Sequence, residues 1–202
     1  SDKPKVLANI KGKPFLSYIL NQINDHGGKK VILCTGYLGN MIEERYGSKY
    51  NNLNVSYSHE EGPLGTGGAL RYALPHINTP YLFVMNGDSY IDIDLKHYYS
   101  WFKKKNIEAS LCLVKKTNTK RYGKVIFNSD FVIKSFKEKN EDASSGYINA
   151  GVYIFNKNML SKINKKKQSF SIEKDCFPKW IGEKFYAYIS DGLFIDIGTP
   201  KS

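Results

Sequence analysis

"YLFVMNGDSYIDIDL", residues 81–95, runs Tyr-Leu-Phe-Val-Met into an abrupt Asn86-Gly87-Asp88 stop. An apolar run of that length suits a strand buried on both faces, as in a parallel sheet. Gly87 supplies the turn, and Asp88 is presented just beyond the strand's carboxyl end. In open α/β sheets, ligands collect outside that end of the strands. The plain alternative is a turn-forming or helix-capping Asp. What the rest of the chain brings to this point decides between them.

Outward from that stretch, short apolar runs alternate with amphipathic ones. Phe15, Leu16, Ile19, Leu20 and Ile23 have helical spacing. "KKVILCTGY" and "NVSYSHEE" are expected strands around a short helix over Met41–Tyr46, and "GTGGALRYAL" a loop running into a helix. Asp94 is placed to cap the helix "LKHYYSWFKKKN". Later, "ASLCLVKK", "GKVIFN", "FVIKSFKE" and "AGVYIFN" succeed one another at hairpin-like separations, so antiparallel members join the sheet. "SIEKDCFPKWIGEKF" is expected to be a helix capped by Ser171, with the strands "FYAYIS" and "GLFIDIGTP" after it. The expectation is one α/β domain over residues 1–202: a Rossmann-like, mixed, mostly parallel sheet with helices on both faces.

Composition narrows the function. The chain has 202 residues, 41% of them hydrophobic, enough for one sizeable core. A net charge of +11 points to an anionic partner. The runs Lys103–Lys105 and Lys165–Lys167 read as solvated faces. Cys34, Cys112 and Cys176 are far apart, odd in number and without CxxC spacing. That argues against a disulfide framework or a thiolate zinc site and for a reducing, cytoplasmic setting. No apolar run approaches the roughly 20 residues of a membrane-spanning helix.

Two further loops could carry chemistry. In "EEGPLGTGGAL", Gly65, Gly67 and Gly68 remove side chains where a loop enters a helix, so backbone amides can approach a ligand. The alternative is a turn needing positive φ; the pattern is neither a Walker loop nor GxGxxG. In "FIDIGTP", Asp196 lies inside an apolar run, and a buried carboxylate needs a partner. If Asp88 and Asp196 face each other, a cation must offset their repulsion. Two carboxylates completed by water and phosphate oxygens form the usual magnesium arrangement.

Taken in order, "PKVLANIKGKPFLSYIL", "PLGTGGAL", "MNGDSYIDIDL", "INAGVYIF", "SIEKDCFP" and "FIDIGTP" resemble the sugar-1-phosphate nucleotidyltransferases over essentially the whole chain. The chain is most similar to the D-glycero-α-D-manno-heptose 1-phosphate guanylyltransferases, with mannose-1-phosphate guanylyltransferases further off. The resemblance implies that Lys5 contacts nucleotide phosphates. It implies that Leu64, Gly65, Thr66 and Gly67, with Asn86 and Gly87, bind the nucleotide. Asp88 and Asp196 would hold Mg²⁺. Tyr122 and Gly123 would line the sugar pocket, Asn149 and Glu173 would meet sugar hydroxyls, and Lys174 the sugar phosphate. GTP and a heptose 1-phosphate are the implied partners, and assembly with a second copy of the chain is left open. Neither nucleic acid nor membrane insertion is expected. One departure stands out: the family's GGxGTRL-type loop and its first, central strand should lie just before Ser1. The chain also stops soon after "GTP", so it is expected to be trimmed at both ends.

Two other functional classes compete. Asp92-Ile93-Asp94 is a D-x-D triplet of the kind used by metal-dependent glycosyltransferases, and it competes with Asp88 for the metal. A basic RNA-binding protein is the non-enzymatic alternative, but the aromatics fall within apolar runs and no RNP-like motif is present. His26, His59, His76 and His97 have no ligand spacing and read as structural or surface residues.

Overall fold

Side chains that alternate along one long strand, Gly146–Asn156, feed two separate apolar cores, and this organises the molecule. The computed structural model describes residues 2–137, 144–161, 163 and 168–198. Lys165–Lys167, Thr199-Pro200 of the terminal motif and Glu138 of an expected strand lie outside them. In chain order the first half runs β1 (Asn9–Ile10), β2 (Lys13–Pro14), α1 (Phe15–Asp25), β3 (Lys30–Thr35), α2 (Gly39–Tyr46), β4 (Lys49–Tyr50), β5 (Leu53–His59) and α3 (Gly65–Ala73). Next come β6 (Tyr81–Met85), β7 (Ser89–Ile91), α4 (Leu95–Lys105), β8 (Ala109–Lys116), β9 (Lys124–Phe127) and β10 (Ile133–Lys137). The strand β11 (Gly146–Asn156), α5 (Lys157–Ser161), β12 (Phe185–Ser190) and β13 (Phe194–Asp196) complete the set.

The largest sheet has the order β10-β9-β11-β8-β12, and β6 pairs the far half of β11. Its strand β11 is antiparallel to both β6 and β8, while β12 is parallel to β8. The expected parallel character therefore survives in direction, since β6, β8 and β12 run the same way. In pairing, β8 and β12 are direct parallel neighbours, while the reversed β11 separates β6 from β8. A smaller sheet has the order β3-β5-β4, with β3 and β5 parallel.

On one face of the main sheet, Tyr153 and Phe155 pack with Leu70 of α3, Leu160 of α5, Phe177 and Trp180. On the other, Ala150, Val152 and Ile154 pack with Leu95, Tyr98 and Phe102 of α4. Helices thus cover both faces. A third cluster joins α1 and α2 to β5 through Leu20, Ile42, Leu53 and Val55, and Met85 of β6 reaches both it and the second cluster.

Three expectations need correction. All of Tyr81–Met85 is half-buried rather than buried on both faces, because β6 is paired along one edge only among the described residues. The "GTGG" glycines are no loop ahead of a helix: Gly65 already begins α3. Ser171 does cap the segment after it, accepting from the Lys174 amide at 3.2 Å. Instead of a continuous α-helix, however, there is one π turn, Ile172–Cys176, and one 3₁₀ turn, Phe177–Trp180. Pro178 has no amide to carry the helical ladder through the junction.

Candidate active site

Asp88 is placed by backbone pairing. After β6 the Asn86 amide donates to Gly151 O at 2.8 Å, and the chain turns at Gly87 directly into β7. β7 pairs antiparallel with β13, setting Asp196 opposite Ser89, and the Ile197 amide donates to Asp88 O at 2.9 Å. A Cβ on Gly198 would lie 2.6 Å from Asp196 Oδ1 and 3.3 Å from Asp88 Oδ2. Both carboxylates therefore face one small space that only a glycine leaves open. Burial raises the pKa of Asp88 above its ordinary value, and the Asp196 charge raises it further, while Lys5 opposes them. Lys5 reaches this point on a single 3₁₀ turn, Lys5–Leu7, that rests on Gly87: a Cβ there would meet Val6 Cγ1 at 3.1 Å.

The pair fits a divalent cation. The donors are hard carboxylate oxygens that converge, partly desolvated, and a cation would relieve their repulsion. Among the described residues no cluster of three or more metal-ligating side chains exists. Any ion held here would complete its shell with water and substrate oxygens. Tyr122 stands beside the pair: its pKa is raised by burial and then by the charge of Asp196, to which it hydrogen-bonds. The neighbouring Gly123 passes so close to Lys137 O, 2.9 Å from a hypothetical Cβ, that no side chain fits.

The other half of the site is a clasp between the start of α3 and residues 168–174. The Phe170 amide donates to Leu64 O at 2.9 Å, and the Gly67 amide returns a bond to Phe170 O at 3.0 Å. A Cβ on Gly65 would meet Phe170 O at 2.6 Å, and one on Gly67 the Phe170 ring at 2.3 Å. These glycines therefore admit the 168–172 segment, and the Gly67 amide is spent on it rather than presented to a ligand. Glu60 anchors the approach, its Oε2 accepting from the Leu64 amide at 2.8 Å.

Glu173 ends the clasp. Its Oε2 accepts from Thr66 Oγ1 and Ser171 Oγ, each at 2.9 Å, and its Oε1 accepts from Tyr153 OH at 3.2 Å. Tyr153 OH in turn accepts from Asn149 Nδ2 at 2.8 Å and bonds the Asn86 side chain. Asn149 is turned toward this network by an irregularity in β11, where Gly151 takes φ +75° and a Cβ would strike Ser89 Oγ at 2.3 Å. Lys174 is exposed beside Glu173. With one turn of helix behind it, little macrodipole is available to help bind an anion.

The residues singled out in the sequence thus form two connected groups. Lys5, Gly87, Asp88, Tyr122 and Asp196 gather at the β7/β13 corner. Leu64, Gly65, Thr66, Gly67, Asn86, Asn149 and Glu173 belong to the clasp, and Lys174 borders it. Sequence reasoning missed Tyr153, Ser171 as a donor to Glu173, and Glu60. A clue existed for Tyr153, since a Tyr within an apolar run must find a partner for its hydroxyl once buried. Within the D-x-D triplet, Asp94 Oδ1 is committed as helix cap, accepting from the His97 amide at 2.9 Å. His26, His59 and His97 engage Gln22, Thr35 with Glu43, and Tyr188 respectively.

The nucleotidyl transferase profile covers residues 1–202. The chain belongs to the nucleotidyl transferase family. It is 40% identical over 201 residues to a D-glycero-α-D-manno-heptose 1-phosphate guanylyltransferase of Aneurinibacillus thermoaerophilus, covering 99% of this chain and 86% of the relative. It is 34% identical to the mannose-1-phosphate guanylyltransferase catalytic subunit beta of Drosophila pseudoobscura pseudoobscura, covering 98% of this chain and 54% of that one. Among solved structures, HddC from Yersinia pseudotuberculosis complexed with GMP-PN matches this nucleotidyl transferase with a TM-score of 0.88 and 32% identity. That match covers 100% of this chain and 87% of HddC. No helix among the described residues is long and apolar enough to cross a membrane.

Proposed function

We propose that this chain transfers a nucleoside monophosphate, GMP from GTP, to a sugar 1-phosphate, D-glycero-α-D-manno-heptose 1-phosphate, giving a GDP-sugar and pyrophosphate. The observation that carries the reading is the convergence of Asp88 and Asp196 beside Lys5, in a chain 40% identical to a heptose 1-phosphate guanylyltransferase. A phosphate oxygen of the sugar 1-phosphate bonds to the α-phosphorus of the nucleotide, and the bond from that phosphorus to the β-bridging oxygen breaks. The attacking oxygen is already anionic, so no protein nucleophile or base is required. The obstacle is bringing two anions into line, which makes positioning and charge compensation the protein's task.

Asp88 and Asp196 would hold Mg²⁺, which when bound supplies positive charge to the reacting phosphate oxygens. Lys5 adds a cation beside Asp88 for the nucleotide phosphates, and exposed Lys174 one for the sugar phosphate. Asn149 and Glu173 face the sugar hydroxyls, and the backbone of the Leu64–Gly67 segment the base. One edge of β3 and one of β6 are unpaired among the described residues, while Met85, Val31 and Leu33 share a cluster. This supports one further strand between them, where the expected central strand would lie. The likeness to mannose-1-phosphate guanylyltransferases supports mannose 1-phosphate as the second reading.

The test is pyrophosphate release by the full-length protein with Mg²⁺, each of five nucleoside triphosphates, dTTP included, and a panel of hexose and heptose 1-phosphates. Release with GTP and the heptose substrate is expected. A preference for CTP or dTTP with glucose 1-phosphate would overturn the guanylyl assignment.

A further inference from the structure

Thr66 lies in the glycine-rich element that the sequence assigns to the nucleotide, yet its hydroxyl is committed elsewhere. Its one proton goes to Glu173 Oε2 at 2.9 Å, and Thr66 Oγ1 itself accepts from the Ile172 amide at 2.9 Å. A threonine hydroxyl has a single donor hydrogen, so nothing is left to donate to a base or a phosphate. The first bond instead holds Glu173 Oε2, while Tyr153 holds Oε1, and the second ties Thr66 to the Ile172 backbone.

The carboxylate's own inventory sharpens this. Two oxygens offer about four acceptor positions. Thr66 and Ser171 occupy both positions on Oε2, and Tyr153 takes one on Oε1. One position remains, on Oε1, open to a donor such as a substrate hydroxyl. Tyr153 is fully buried and held by Asn149 and Asn86, so it cannot follow Glu173 if the carboxylate swings away. Remove Thr66 Oγ1 and an Oε2 position opens, the Ile172 amide loses its acceptor, and the carboxylate gains freedom to rotate.

We propose that Thr66 is a positioning residue for sugar recognition: it orients Glu173 so that a single Oε1 position faces the substrate hydroxyl, and it does not itself read the nucleotide. The inference rests on the proposed transfer reaction only for the identity of the two ligands. It predicts a split that a general loosening of the clasp would not give. Thr66→Val keeps the side chain's shape but removes both hydrogen bonds. It should raise the KM and the calorimetric Kd for the sugar 1-phosphate about 10-fold, the size of one lost hydrogen bond to a charged group. The KM for the nucleotide should stay within about 2-fold, since the bonds lost amount to well under one hydrogen bond's worth on that side. Thr66→Ser restores the hydroxyl and should restore sugar affinity. In a Glu173→Gln background, Thr66→Val should add little.

The experiment is titration of wild type, both Thr66 variants and the double variant with sugar 1-phosphate and with nucleotide separately, alongside pyrophosphate release. Weakening confined to the sugar side, rescued by Ser, supports the proposal. An equal or larger effect on the nucleotide side overturns it, as does a Ser variant no better than Val. If wild type binds the sugar phosphate without any transfer, the reaction assignment falls while the titrations still decide the role of Thr66. If no sugar phosphate binds at all, both fall.

Discussion

The two halves of the site are built by different means. The carboxylate corner is backbone architecture: β7 and β13 pair, and Asp88 and Asp196 face each other because their strands are in register. The clasp is made of side-chain hydroxyls, one carboxylate and glycines whose missing side chains let Phe170 approach. Backbone pairing tolerates side-chain change, so the corner should lose function without losing structure. A network of shared hydrogen bonds is cooperative, so the clasp should lose both together. Chemistry common to a reaction class suits the first kind of construction, and recognition of one sugar suits the second.

The sharpest way to break this comparison is at the corner. Asp88→Asn removes a carboxylate that burial and Asp196 already disfavour in its charged form. Turnover should fall on the order of 10² to 10³-fold, comparable to losing one preorganised electrostatic group. The melting temperature without divalent ion should rise, because a like-charge repulsion has gone. Pyrophosphate release and thermal melts of the same samples check both. Lowered stability together with lost activity would show that the corner carries structural load after all.

The clasp should behave in the opposite sense. Gly65→Ala places a Cβ 2.6 Å from Phe170 O at a residue with φ +70°. The combined strain and clash should cost about 1–3 kcal/mol in urea unfolding. Apparent affinities for both substrates should suffer together. Gly12→Ala is the control, with φ +87° but nothing within 4 Å of its Cβ, and should cost less.

Legibility in the sequence followed the same division. Asp88 and Asp196 stood out because a carboxylate beside or within an apolar run is costly without a purpose. Asp94 stood out because it precedes a helical period, and its bond to the His97 amide bears that out. The pairing of β7 with β13 was not legible, since the two strands lie far apart in the chain and each is three residues long. Nor was the insertion of β11 between β6 and β8, which local pattern does not encode. The glycines of 65–68 misled in an instructive way. A missing side chain serves a close-packed neighbour as well as a ligand, and only the position of Phe170 tells which.

Tyr153→Phe isolates the network from the core. The ring stays within the cluster of Phe155 and Phe177, so stability should change by roughly 1 kcal/mol, the worth of a hydroxyl hydrogen bond. Asn149 Nδ2 and Glu173 Oε1 each lose a partner. The sugar-phosphate KM should rise several-fold with little change for the nucleotide, measured by initial rates at saturating co-substrate. Equal rises for both would show that the network serves the whole site rather than its sugar side.

The smallest effect belongs to the D-x-D triplet, and it tests the boundary of the corner. Asp94 is exposed and its pKa is lowered, first by the hydrogen bond from the His97 amide. A lowered carboxylate contributes stability that is present above its ordinary value of 3.8 and is lost as pH falls through its folded-state value. Asp94→Ala should therefore lower the melting temperature slightly at neutral pH, and its difference from wild type should close on acidification. Asp94→Asn, which still caps, should hold nearly the wild-type melting temperature at neutral pH and exceed it on acidification, where the aspartate's contribution is lost. Neither change should alter pyrophosphate release, because the side chain is committed to α4 and not to the space between Asp88 and Asp196. If Asp94→Asn abolished turnover while Asp88→Asn spared it, the metal-binding carboxylates would belong to the triplet. The nucleotide-sugar chemistry of a glycosyltransferase would then describe the chain better than nucleotidyl transfer.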